Sequence, residues 1–162
     1  MQTATAGELI RVLTKKRNER NELAEKAKTK EADYLRKAHG LVNRAAEMLK
    51  PLEPFDISAK VEEFSTQTDF GNGLVTVSLI MLRVLDGDDE LLTIEPHILQ
   101  AHPSKPFFFA KHGAKRLPLA FQPAGQEPGW YFWTNEDDKS VEPSYLRFDE
   151  DSLMGLIKSI VE

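Results

Sequence analysis

The chain has 162 residues, enough for one domain that buries about two-thirds of its unfolded surface. Hydrophobic residues make up 41% and charged residues 29%, the balance of a globular protein rather than a disordered one. There is no cysteine, which excludes disulfides, thiolate metal centres and a Cys nucleophile and fits a reducing compartment.

The first element is a long helix over residues 5–50. Thr5 followed by Glu8 three residues later is a capping-box signature, and Pro51 and Pro54 stop the helix because proline offers no N–H. Beyond the first turn Gly40 is the one breaker inside it and marks the expected place of a kink. Glu22–Lys26 and Asp33–Lys37 are i,i+4 pairs in the favourable acid-first order. The second half carries a broad apolar stripe, with Leu35, Ala38, Val42, Ala45 and Leu49 flanked by Tyr34, Leu41 and Met48. A stripe that wide predicts packing on a sheet. The first half has only a thin seam at Leu9, Leu13, Leu23 and Ala27, interrupted by Lys16 and Arg20. Residues 14–22 are polar all round, so this segment is expected to project into solvent, pair with another helix, or fray, or else to break the helix and let its start fold back.

From Ile57 the pattern becomes one of strands and turns. Ile57–Thr68 and Leu74–Leu85 flank Phe70-Gly71-Asn72-Gly73, which reads as a hairpin. Leu79–Leu85 is apolar on both faces and is expected to be the central strand. Asp86-Gly87-Asp88-Asp89 turns into a third strand near Glu90–Ile94, and shorter strands are expected at Pro106–Ala110, Pro118–Phe121, Gly129–Thr134 and Tyr145–Phe148. A C-terminal helix, Ser152–Val161, places Leu153, Leu156, Ile157 and Ile160 on one face, with Asp149, Asp151 and Ser152 at its start. Strands segregated between two helices predict an α+β fold: a long N-terminal helix, a curved antiparallel sheet of six or seven strands, and a short C-terminal helix. Residues 1–50 and 51–162 are expected to form one folded unit.

The net charge of −5 conceals a split. Residues 8–50 hold 12 Lys/Arg against 7 Asp/Glu, a net +5, whereas residues 51–162 hold 9 against 19, a net −10. The longest apolar run falls far short of the ~18 residues of a membrane span, and the N-terminus shows no basic stretch followed by an apolar one. A cytoplasmic protein without membrane contact is the expectation.

No motif for catalysis or for a cofactor stands out. His97, His102 and His112, with Glu95, have the ligand chemistry of a Zn²⁺ or Fe²⁺ site, but their spacing matches no compact ligand motif and three prolines kink the segment. The acidic turn Asp86–Glu90 has its glycine second, a turn position rather than that of a calcium loop. Gly71-Asn72-Gly73 lacks the third glycine and the following helix of a dinucleotide loop. Phe107–Phe109 beside Lys111, Lys115 and Arg116, and the run Trp130–Trp133, combine rings with cations as nucleic-acid surfaces do. Strand alternation nevertheless splits each run between two faces, so at least half of the rings are expected in the core. Lys15, Lys16, Arg17 and Arg20 offer a second basic run, with Glu19, Glu22 and Glu25 weakening it.

The leading expectation is a non-catalytic protein-interaction or adaptor module that self-associates as a homodimer through Leu9, Leu13, Leu23 and Ala27. The alternatives are a nucleic-acid-binding protein using Lys15, Lys16, Arg17, Arg20, Lys111, Lys115 and Arg116, and a metal-dependent enzyme centred on the histidines of 95–112.

Overall fold

The computed structural model describes residues 1–97 and 107–162. Helix α1 runs unbroken from Ala6 to Leu49, through Gly40. Its start is the expected capping box: the Thr5 hydroxyl accepts from the Glu8 N–H at 3.2 Å, and the Glu8 carboxylate accepts from the Thr5 N–H at 2.9 Å. At the far end the chain tightens into a 3-10 turn, Lys50–Phe55, with proline inside it, and Asp56 leaves it in the left-handed region at φ 66°.

Seven strands follow: β1 (Ile57–Asp69), β2 (Leu74–Asp86), β3 (Asp89–Pro96), β4 (Phe107–His112), β5 (Lys115–Phe121), β6 (Trp130–Trp133) and β7 (Tyr145–Arg147). They form one sheet in the order β1-β2-β3-β4-β5-β6-β7, every pair antiparallel. Helix α2 (Glu150–Val161) closes the chain, capped reciprocally by Asp149 and Ser152. No helix among the described residues is long and apolar enough to cross a membrane.

A meander places sequence neighbours side by side, so the first strand is necessarily an edge and β4 is central. This corrects the expectation that Leu79–Leu85 is the central strand: β2 is second from the edge. Its double-sided apolar pattern has another cause. The β1–β2 register is continuous from Ile57↔Asp86 to Asp69↔Leu74, yet the buried side chains change parity along it. Near the base they are Ile57, Leu82 and Val84; towards the tip they are Thr68, Val77 and Leu79. A two-stranded ribbon twists more strongly than a broad sheet. Here the ribbon outruns β3, whose pairing with β2 ends at Leu82↔Ile94, and turns over as it follows α1. The turn residue Phe70 is buried at the tip and meets the Tyr34 ring edge-on at 5.8 Å, while Gly71 and Gly73, at φ 113° and 89°, supply the backbone that lets it fold inward.

The core forms from one side of the sheet. Leu82, Val84, Leu92, Ile94, Phe108, Ala110, Leu119 and Phe132 are buried with Ala38, Leu41, Val42, Ala45 and Leu49 of α1 and Leu153 and Ile157 of α2. Leu35 and Met48 border the same cluster. Lys37 joins the helix to the far strands: its carbonyl accepts from the Trp130 indole N–H at 3.2 Å, and its ammonium lies 4.4 Å from the Phe121 ring centroid and 2.7 Å from Asp33. That bond to Lys37, then Arg36, holds the Asp33 carboxyl below its ordinary pKa.

Candidate functional site

Every residue from Met1 to Leu23 is exposed. The helix is 44 residues long, about 66 Å at 1.5 Å per residue, and its first 18 residues account for about 27 Å with no core beneath them. Leu9, Leu13 and Leu23 are 54%, 56% and 51% exposed. Ala27 is different: it is half-buried against the core and marks where packing starts. The four seam residues therefore divide, three in solvent and one at the edge of the core. Ile10 and Val12, also exposed, widen the apolar surface at the start of the helix. The seam spacing singled out only Leu9 and Leu13 there; the neighbouring aliphatic residues were the available signal.

Lys15, Lys16, Arg17 and Arg20 stand exposed on this projecting segment, and no ion pair among the described residues engages them. Arg20 lies about 25 Å along the helix from Lys37, where α1 meets β5. The second basic group is itself divided. Lys111 pairs across with Arg116, which sets those two on one face of the sheet, while the His112↔Lys115 pair points to the other. Lys111 is tied to the Glu95 carboxylate, and the Arg116 guanidinium sits 4.8 Å above the Phe109 ring. Tyr131 is likewise covered by Arg147 at 5.9 Å. Of the aromatic runs, Phe108, Phe109, Trp130, Tyr131 and Phe132 are buried, and Phe107 and Trp133 are half-buried. The rings and cations that sequence brings together are thus largely spent on each other and on the core.

The histidines also separate. His97, just beyond β3, packs edge-on against Phe109 at 4.9 Å and Phe107 at 6.3 Å. His112 is at the opposite end of β4, about 17 Å away at 3.3 Å per residue, with its Nδ1 2.6 Å from the Leu91 carbonyl. His102 lies outside the described residues. Among the described residues no three His, Asp or Glu side chains gather in a way that could hold a metal ion.

One concavity escaped the sequence reading. Between α2 and β3–β5 lies an open groove of about 420 Å³, floored by Leu92, Ala110, Leu117, Leu156 and Ile160 and rimmed by His112, Lys115, Arg116 and Ser159. Its residues come from four elements, so no local pattern could reveal it.

The outer face around β2 holds an ionic chain. Arg83 bonds to Glu62 at 3.2 Å and to Glu90, and Lys60 lies 3.8 Å from Glu62. The guanidinium holds the Glu62 carboxyl below its ordinary pKa, and the two carboxylates raise that of Arg83. These residues bridge β1, β2 and β3 on the surface. No family model matches this sequence, and no curated protein or solved structure matches it either.

Proposed function

We propose that the protein is a non-catalytic interaction module that self-associates as a homodimer through its projecting N-terminal helix. The observation that carries this reading is the exposure of Leu9, Ile10, Val12, Leu13 and Leu23 on a helix segment that has no core of its own. A helix in water draws most of its stability from packing an apolar face, and local pairs add only tenths of a kcal/mol each. A second chain supplies the missing surface, and closed two-fold symmetry is the commonest way to do so. Lys16 and Arg20 break the seam, which favours a short or antiparallel contact over a long regular coiled coil. The nucleic-acid alternative has less support, because Lys111 and Arg116 are engaged within the sheet and the body of the protein is acidic.

Sedimentation of the full chain at ~10–100 µM tests the proposal, a range in which a micromolar dimer changes population. The expected result is about twice the 18.3 kDa chain mass, falling to one chain mass in the Leu9→Glu/Leu13→Glu variant. A monomer across the range overturns it.

A further inference from the structure

We propose that the groove between α2 and β3–β5 binds an aliphatic monocarboxylate, with the carboxylate at Lys115 and His112 and the alkyl chain along Leu117, Leu156 and Ile160. The inference goes beyond the self-association proposed above and is independent of it, since no residue of α1 lines the groove. At about 420 Å³ the groove has the size of small-molecule sites, which combine a mostly apolar lining with a few placed polar groups.

Strand register sets its two ends. On the face where α2 packs, His112↔Lys115 is the last pair of the β4–β5 hairpin and Ala110↔Leu117 the next one inward. That step along the strands is about 7 Å at 3.3 Å per residue, so cations hold one end and aliphatic side chains the rest. The His112 Nδ1–H donates to the Leu91 carbonyl at 2.6 Å, which fixes the imidazole at the cationic end. Lys115 is exposed and makes no ion pair among the described residues. No acidic side chain among the described residues lines the groove, although residues 51–162 hold 19 Asp/Glu against 9 Lys/Arg. Three of those nine, Lys111, Lys115 and Arg116, fall at this one turn, with Lys111 and Arg116 on its opposite face. The acidic half therefore gathers positive charge where the groove opens, and that field selects an anion.

The lining narrows the class of anion. No Phe, Tyr or Trp among the described residues lines the groove, so a nucleobase finds no ring to stack on. Strands β3, β4 and β5 are each paired on both sides, so no strand edge is open to a peptide backbone. The helix end beside the groove is the last turn of α2, whose carbonyls disfavour a dense charge such as a phosphate dianion. One carboxylate on an alkyl chain meets all three conditions.

Calorimetric titration of the full chain with octanoate, 1-octanol, octylammonium and hexanoate tests the assignment. The expected result is saturable octanoate binding, one per chain. Octanol, with the same tail and no charge, should bind about fivefold more weakly, and octylammonium should not saturate. Hexanoate should bind about tenfold more weakly, for want of two buried methylenes. Lys115→Glu should weaken octanoate about fivefold, whereas Lys139→Glu, the same change on an exposed loop, should leave it unaltered. The assignment is overturned by any of three outcomes: no saturable octanoate binding up to about 10 mM, octanol binding as tightly as octanoate, or equal effects of the two lysine variants. A lower thermal midpoint in Lys115→Glu with unchanged octanoate binding also overturns it, and makes Lys115 a partner of the α2 carbonyl end instead.

Discussion

The two halves of α1 share one continuous backbone, yet only one of them belongs to the core. Residues 34–49 bury six side chains against the sheet; residues 6–23 bury none. Helical geometry is continuous across the change, so continuity says nothing about where stability resides. The cap at Thr5 and pairs such as Asp33–Lys37 hold helix conformation locally, while the free energy that fixes the fold comes from apolar area removed from water. The helix is therefore half foundation and half projection, and its packing ends near Ala27.

The sharpest way to break this comparison is deletion. Removing residues 1–23 should leave a cooperative thermal transition with an unchanged midpoint when measured on dilute protein. Removing 1–50 should abolish the transition, since it strips Ala38, Leu41, Val42, Ala45 and Leu49 from the cluster. A sharp transition in the 51–162 fragment, followed by circular dichroism, would refute the assignment of α1 to the core.

Point substitution sharpens the same contrast. Leu41 is fully enclosed and Leu13 more than half exposed. Urea denaturation of Leu41→Ala should show a loss of about 2–5 kcal/mol, and of Leu13→Ala, measured on dilute protein, less than about 0.5 kcal/mol. Equal losses at the two sites would mean that the projecting half packs on something within its own chain.

The smallest effect concerns acid. Asp33, lowered by Lys37 and Arg36, and Glu62, lowered by Arg83, both titrate below their unfolded values. A carboxyl whose folded pKa is depressed contributes stability that is complete above the unfolded pKa and lost as pH falls through the folded one. The urea midpoint should therefore be level above about pH 5 and decline below about pH 4, and the decline should be shallower in Asp33→Asn/Glu62→Gln. Both side chains keep a third or more of their surface open to solvent, at 41% and 33%, so screening keeps the effect small and salt should reduce it. An identical decline in parent and variant would remove these pairs from the acid response.

Much of the fold was legible in the sequence. The capping box at Thr5, the stripe from Leu35 to Leu49, the Gly-Asn-Gly hairpin and the α2 cap are local codes, each set by residues within a few positions of one another. The seam at Leu9, Leu13 and Leu23 was legible for the same reason, and its position on a projecting segment follows from helix length set against the breadth of the sheet. Ala27 read as part of that seam because spacing alone cannot say where the sheet begins beneath a helix.

What the sequence by itself determined was secondary structure, the α+β class and which helix half carries an apolar stripe, because backbone preference and side-chain periodicity are short-range properties. Tertiary structure alone decided that Phe70 leaves its turn for the core, that Lys37 anchors β5 and β6, and that Lys111 and Lys115 face opposite sides. It also decided that the apolar run Leu79–Leu85 belongs to a strand second from the edge. The physical reason is the twist of the long β1–β2 ribbon, which moves the buried face from Leu82 and Val84 to Val77 and Leu79 without a break in register. Twist accumulates over the whole ribbon and depends on what each end packs against, so it has no signature in any short window of residues.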